Sequence, residues 1–441
     1  MTIFIITIFI AAYILIAFEE KVKLDKAIPA LLSAAIIWAA YAISSHDVSV
    51  ALADLSHHIG EVAGIVFFVW GALTIVELTD AHNGFEIITS MIKTRNPQKL
   101  IWITSIITFF LAAIIDNLTA SLLMTAILFS IIKNREERAF FACIAVIAAN
   151  AGGTWSPLGE ITTTMLWAKG QISIGAITSE MFIPSLVSLI VPLGILSTFV
   201  LKKQLKQPTQ EDLKELENQI AEKKNDKTVP PTEFERNTML TVSVLSLLLI
   251  PIFKTVTHLP PYMGMIFSLG IVWVTSELLH HKKDSDERKK YTVAYALSKV
   301  NATNLFFFLG ILLAVSGLEA THILKSWGDS LLASISNIYL VDFIIGIFSA
   351  VIDNVPLVAA MQGMYDLSEY PTDSPLWIFL AYTAGTGGSI LVIGSAAGVG
   401  VMGMMKEQIT FGWFFKKISL WAFIAYCTGA VCYLFLKTYI Y

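Results

Sequence analysis

Two short polar motifs interrupt long apolar runs in this chain. The first, IIDNLT, carries Asp116, Asn117 and Thr119, and the second, VIDNVP, carries Asp353 and Asn354. A charge in the middle of a lipid bilayer costs on the order of 2.5 kcal/mol or more, so two such acids need a function. Carboxylate and amide oxygens are hard ligands, which hard cations prefer to nitrogen or sulfur. The motifs therefore predict a cation site that holds sodium at Asp116, Asn117, Asp353 and Asn354.

A structural alternative applies to both motifs. Asp is a favourable N-cap residue, so Asp116 and Asp353 could each simply begin a helix, and Pro356 suits the first turn of the second one. A neutral Ser cap would cost less in lipid than an acid, which favours a function beyond capping. Capping and ion binding can coexist in one side chain.

Two glycine-rich stretches, NAGGTWSPLGEITTT and GTGGSILVIGSAAG, form a second matched pair. Glycine pairs should interrupt a membrane-spanning helix in each stretch, and Pro157 strengthens the break in the first. Unwound backbone at that depth is tolerated only where protein or a water-filled cavity surrounds it. The residues predicted to break the helices are Gly152, Gly153, Pro157, Gly387 and Gly388. The polar side chains that could complete a cation site with the freed carbonyls are Asn150, Thr154, Ser156, Thr386, Ser389 and Ser395. The alternative for each glycine is close helix packing.

Further acids lie near the apolar segments. Glu160 closely follows the first predicted break, which suits a proton relay or an ion ligand. Glu61 and Glu77 bracket the third apolar run and are secondary candidates, with an interfacial position as the alternative. The sequence has no P-loop and no CxxC motif, which argues against ATP-driven transport by this chain. We expect no cofactor, no enzymatic activity and no nucleic-acid partner.

The composition predicts the setting of these motifs. Of the 441 residues, 55% are hydrophobic and only 15% are charged, against about 25% charged in a soluble domain. Repeated apolar runs approach the roughly 17–25 residues of a membrane-crossing helix, so we expect an all-α polytopic membrane protein. The ten predicted spans lie near 2–18, 27–43, 61–78, 139–168, 181–201, 238–257, 263–279, 301–318, 376–404 and 418–436.

Two apolar runs, 100–132 and 338–365, do not fit as simple spans. The first would make about 50 Å of helix, too long for one crossing of a roughly 30 Å core and too short for two. Basic residues flank both of its ends, so it should enter and leave on the cytoplasmic side as a re-entrant hairpin. The second run is followed by the acidic segment DLSEYPTDS and should enter from outside. The same rule places both chain termini outside the cytoplasm.

The two halves of the chain resemble each other. VFFVWGAL parallels LFFFLGIL, IIDNLT parallels VIDNVP, and AGGT parallels TGGS, in the same order. We therefore predict a first repeat at 1–201 with a broken helix at 139–168, and an inverted second repeat at 237–441 with a broken helix at 376–404. A charged cytoplasmic linker, 202–236, separates them. Inverted repeats with broken helices and a midplane site are a recurring plan of secondary transporters.

At these motifs the sequence resembles the NhaD-type sodium/proton antiporters of the ion transporter superfamily, which are related to arsenite permeases and dicarboxylate carriers. The resemblance rests on DNLTA, NAGGTWSPLGEITTTMLW, DNVPLVAAM and the GTGGS block, and it covers nearly the whole chain. It implies exchange of sodium or lithium for protons in a bacterial inner membrane. It also implies that the ion is held in the stretches containing Asp116, Asn117, Thr119, Asn150, Thr154, Ser156, Glu160, Thr162, Thr163, Asp353, Asn354 and Ser389. Thr119 has no hydroxyl counterpart at Pro356, so two pseudo-symmetric sites would not be equivalent.

The expected function is exchange of a monovalent cation for protons, with both ligands competing for the midplane carboxylates. Neighbouring acids at low dielectric would bring one apparent pKa toward physiological pH. The first alternative is an arsenite or anion permease, since helix N-termini attract anions. A second is an intramembrane aspartyl protease, but the context FSAVIDN differs from the GxGD motif of that class. The expected partners are cations, protons and the lipid bilayer, and the sequence leaves a homodimer open.

Overall fold

The structure is a computed structural model that describes residues 1–17, 19–45, 47–92, 94–201, 230–281, 283–284, 288–405 and 408–440. Most of the predicted linker at 202–236 lies outside these residues. The α-helices are α1 Thr2–Ala17, α2 Glu19–Val22, α3 Ala27–Ser44, α4 Val48–Ala81, α5 Glu86–Met91, α6 Pro97–Ile115, α7 Asn117–Ile131, α8 Arg135–Gly153, α9 Ile161–Ala168, α10 Ile174–Ile195, α11 Glu233–Thr257, α12 Pro261–His280, α13 Val293–Lys299, α14 Ala302–Ala320, α15 Ile323–Ser334, α16 Ile338–Phe348, α17 Asn354–Met364, α18 Pro375–Gly387, α19 Ala396–Met404, α20 Phe411–Lys417 and α21 Ser419–Tyr439.

The helices are those of an all-α polytopic membrane protein. Within the described ranges, eight of them are long and apolar enough to cross a bilayer, and a ninth span results if α15 and α16, bent by 118°, are joined. The predicted spans fall on α1, α3, α4, α10, α11, α12, α14 and α21, and on the pairs α8/α9 and α18/α19. Across the predicted halves, α3 packs on α14 and α10 packs on α21.

Helix α4 differs from the prediction. The predicted spans 27–43 and 61–78 leave a loop between them, but α4 runs unbroken for 34 residues, or about 51 Å. Its first turn is capped by Asp47, whose carboxylate accepts a hydrogen bond from the backbone N–H of Ser49 at 2.8 Å. The predicted loop is wrong over 48–60. Outside the roughly 30 Å hydrocarbon core, polar residues without Pro can continue a helix as readily as they can form a loop.

Both aspartate motifs lie where one helix gives way to the next. Asp116 is the single residue between α6 and α7, with φ 84°. Asp353 ends the non-helical segment 349–353 and directly precedes α17. These junctions agree with helix reversal at the motifs, and the re-entrant hairpins themselves stay a prediction.

Two helices end within the glycine-rich stretches. The chain is non-helical at 154–160 between α8 and α9, and α19 follows α18 only after 388–395. A Cβ on Gly152 would overlap the Phe109 carbonyl oxygen of α6, and a Cβ on Gly387 would overlap the Gly346 carbonyl oxygen of α16. The glycines therefore both end the helices and permit close packing. The two contacts involve residues at equivalent places in the two sequence halves, and the inverted repeat itself stays a prediction.

Candidate functional site

Helix N-termini from both halves meet around one buried acid, Glu160. It occupies the N-cap position of α9 and is 2% exposed. Its Oε1 accepts a hydrogen bond from the Asn117 amide of α7 at 3.3 Å and another from the Asn354 amide of α17. The residues following Asp116 and Asp353 therefore meet at Glu160, although they are far apart in the sequence.

Asn150 of α8 connects the two breaks. Its Oδ1 accepts from the Asn117 amide at 2.9 Å. Its own amide donates to the hydroxyl of Ser389 at 2.8 Å and to that of Ser395 at 3.1 Å. We define the central cluster as these hydrogen-bonded residues: Asn117, Asn150, Glu160, Asn354, Ser389 and Ser395. All are buried.

The cluster leaves two buried oxygens open. Glu160 Oε2 and Thr162 Oγ1 have no hydrogen-bond partner within the described parts of the chain, and Thr162 is fully buried. The Thr162 hydroxyl lies near the Glu160 carboxyl but outside hydrogen-bond geometry. Gly385 of α18 covers the acid from the other half, since a Cβ there would overlap Oε2. Because an unpaired buried oxygen is costly, a proton or a cation at Oε2 would satisfy it.

The electrostatics of the site are acidic. Asp116 accepts from the Thr119 backbone N–H at 2.8 Å and from its hydroxyl at 2.7 Å, and Asp353 accepts from the Val355 N–H at 3.1 Å. Both acids cap helices, as the structural alternative expects, and both are half-buried. The positive ends of the helix dipoles stabilise these carboxylates. Among the described residues, no Lys or Arg forms an ion pair with Asp116, Glu160 or Asp353.

Several predicted hydroxyl ligands form hydrogen bonds outside the side chains of the central cluster. Ser156 donates to the Ala113 carbonyl at 2.6 Å, and Thr386 donates to the Tyr382 carbonyl at 2.6 Å. Thr163 donates to the carbonyls of Ser156 and Glu160, and Thr154 bonds to the Ala151 carbonyl and the Ser185 hydroxyl. These side chains hold the broken backbone in place. Thr163 contacts the central cluster through the Glu160 backbone only, and none of these four hydroxyls bonds to a side chain of the cluster among the described residues.

The secondary candidates lie away from the central cluster. Glu61 forms an ion pair with Lys169 at 3.2 Å, and Lys169 also approaches Glu319 at 3.9 Å. The Glu61 side chain is 35% exposed, so such a pair contributes about 1 kcal/mol or less. Glu77 of α4 is half-buried, with Asp80 and Lys299 as its electrostatic neighbours.

Sequence reasoning passed over one acid, Asp342 of α16. It is fully buried, and neither carboxylate oxygen meets a hydrogen-bond donor among the residues that the structure describes. The signal was present in the sequence, because Asp342 is a lone acid in the apolar run IYLVDFIIGIF. The search for matched motifs missed it because the first half has Ser105 at the corresponding place.

The chain closely resembles known transporters. Residues 13–385 match the family described as citrate transporter. Over 428 residues the chain is 41% identical to sodium/proton antiporter 2 of Arabidopsis thaliana, covering 96% of each protein. It is 43% identical to sodium/proton antiporter 1 of the same plant, over 95% of this chain and 70% of that protein. It is also 31% identical to the Na(+)/H(+) antiporter NhaD of Alkalimonas amylolytica, over 98% of this chain and 90% of that protein. The three antiporter matches span both breaks and both aspartate motifs, because each covers at least 95% of this chain. The chain belongs to the NhaD-type sodium/proton antiporter family.

Proposed function

We propose that this chain exchanges sodium or lithium for protons, and that ion and proton compete for buried carboxylates centred on Glu160. The observation that carries the proposal is the open Oε2 of Glu160, a buried acid oxygen held among neutral amide and hydroxyl groups. The names of the relatives supply the identity of the two ligands.

A proton and a sodium ion would satisfy the same oxygen in different ways. The proton forms a covalent O–H bond, which neutralises the acid. The ion keeps the carboxylate charged and needs further oxygens, and the Thr162 hydroxyl is an unengaged one beside Glu160. Asp116 and Asp353 lie at the two helix junctions beside the cluster and provide two further carboxylates for which ion and proton compete. Because a carboxylate oxygen cannot hold both ligands at full strength, loading of one releases the other.

Alternating access follows from the composition of the central cluster. Asn117, Asn150 and Glu160 come from the first half, whereas Asn354, Ser389 and Ser395 come from the second. A small movement of one half against the other would therefore open the cluster to one side at a time, as in transporters built from inverted repeats. We further propose a bacterial inner-membrane location, with both termini outside the cytoplasm and the linker inside it.

The alternative is an arsenite or anion permease of the same superfamily. Two observations favour it: the match to the family described as citrate transporter, and the convergence of helix N-termini, which attract anions. The charges oppose it, because acids occupy the N-cap positions of α7, α9 and α17 and would repel a carboxylate substrate. Uncharged arsenous acid escapes this objection, so arsenite transport is the second candidate.

The direct test uses the purified full chain in liposomes with a pH-sensitive dye inside. Sodium, lithium, potassium, citrate and arsenite are added outside, one at a time. Sodium or lithium should move protons, whereas citrate and arsenite should not. Uptake of labelled citrate or arsenite without cation-dependent proton movement would instead establish the alternative.

Replacing Asp116 with Asn should abolish sodium-dependent proton movement while preserving the fold. Asn caps a helix about as well as Asp, so α7 should still begin at Asn117, but the carboxylate is lost. Dye dequenching in everted vesicles measures the effect. Asp47→Asn is the matched control, since Asp47 caps α4 in the same way at an exposed end. Wild-type dequenching by Asp116→Asn would limit Asp116 to capping.

A further inference from the structure

Asp342 is a buried acid that the mechanism above does not use. It lies in α16, the helix that precedes the second aspartate motif, and it is 0% exposed. Neither of its oxygens accepts a hydrogen bond from any described residue. A charged carboxylate in such a position is costly, and the neutral acid is the form that fits. A group in this state is suited to taking up and releasing a proton.

Four tyrosines interact electrostatically with Asp342. Tyr365 and Tyr370 follow α17, Tyr426 and Tyr433 belong to α21, and all four lie within electrostatic reach of the acid. The Tyr433 hydroxyl is buried without a partner in the described chain, and that of Tyr426 donates to the Phe343 carbonyl at 2.6 Å. Tyr370 is partly exposed, so this group extends toward solvent. The other acids that interact electrostatically with these tyrosines are Asp329, Glu369 and Glu180, the last of which pairs with Lys437.

On the side away from Tyr370 and solvent, close contacts run from α16 through α18 to Glu160. Gly346 lies one turn after Asp342, about 6 Å along α16, and it packs against the Thr383 carbonyl and the Tyr426 hydroxyl. Thr383 is two residues before Gly385, which contacts the Glu160 carboxyl. The α16–α18 interface therefore connects Asp342 to the central cluster through close contacts.

We infer that Asp342 is a second proton-binding residue, which relays protons between the tyrosine-lined face of the second half and Glu160. This inference rests on the proposed exchange of sodium for protons. The Asp342 carboxylate takes a proton from the solution side and becomes neutral. It then transfers that proton to the Glu160 carboxylate, which becomes neutral, and Asp342 returns to the carboxylate that accepts the next proton. Sodium does not use this route.

The test separates proton transfer from sodium transfer in the same liposomes. Exchange of labelled internal sodium for external sodium at equal pH needs no proton, whereas efflux driven by a pH gradient needs one. Asp342→Asn should slow the proton-coupled efflux about 100-fold and leave sodium–sodium exchange at the wild-type rate. Asp342→Ser, which places in the second half the residue that the first half has, should behave in the same way. Asp342→Glu should retain both exchanges.

The matched control is Ser105→Ala. Ser105 is buried, has an unpartnered hydroxyl in the described chain, and occupies the corresponding position of α6, so both exchanges should persist. Wild-type proton-coupled efflux in Asp342→Asn would overturn the relay. So would equal loss of both exchanges in Asp342→Asn and Asp342→Ser, since that would indicate a structural role. Absence of both exchanges in the unmodified protein would overturn the proposed function before any variant is compared.

Discussion

Replacing Glu160 with Gln should abolish sodium-dependent proton movement, with a loss of at least about 100-fold relative to the unmodified protein. Gln can keep the carbonyl oxygen that accepts from Asn117 and Asn354, so the hydrogen bonds of the central cluster can persist. The second oxygen becomes an amide group, which binds neither a proton nor a cation in the relevant pH range. The effect should therefore fall on exchange and not on folding.

The measurement is the initial rate of dye dequenching in liposomes over a range of sodium concentrations. Sodium–sodium exchange should also be lost, which distinguishes Glu160 from Asp342. Glu86→Gln is the control, because Glu86 is an exposed acid that pairs with Arg236 far from the cluster. Exchange at the wild-type rate in Glu160→Gln would move the competition to Asp116 and Asp353.

The second large effect concerns stability. Gly152→Ala and Gly387→Ala should each lower the free energy of unfolding by about 3 kcal/mol. The added methyl group would overlap a backbone carbonyl oxygen, of Phe109 in the first case and of Gly346 in the second. A flexible side chain could move away, but a backbone carbonyl can move only if the helix that carries it moves as well.

Thermal unfolding of the purified variants in detergent measures this effect. Gly270→Ala is the matched control, because Gly270 lies within α12 and a Cβ there meets nothing within 4 Å. That change should be neutral or slightly stabilising, since Ala favours a helix by about 1 kcal/mol over Gly. Equal melting temperatures for all three variants would contradict the prediction. They would show that α8 can move away from α6, and α18 from α16, without loss of stability.

Local chemistry made much of the fold predictable. Asp116 and Asp353 lie at helix junctions because Asp caps helices, and the breaks follow Gly153 and Gly387 because glycine weakens helices. These preferences act over a few residues and can be read directly from the sequence. The continuation of α4 through 48–60 could not be read in this way, because polarity does not distinguish a loop from a helix outside the membrane.

The site was less predictable, because its geometry depends on tertiary packing. The contact between Glu160 and Asn354 joins residues 194 positions apart, and no local rule determines which tip residue reaches the acid. The sequence predicts Glu160, Thr154 and Ser156 as equal candidates in one stretch. The structure distinguishes them, since Thr154 and Ser156 bond to Ser185 and to the backbone, while Glu160 receives both amides.

Ser395 begins α19 as Glu160 begins α9, at the same separation of 235 residues that relates Gly152 to Gly387. Only one of these two related positions is an acid. If the halves are inverted repeats, as predicted, an ion arriving from one side of the membrane meets a loop with a negative charge, and an ion arriving from the other meets a loop with a hydroxyl. A molecule inserted in the opposite orientation would therefore expose each of these loops to the wrong compartment. The direction of insertion would then matter to transport as much as the ligands do.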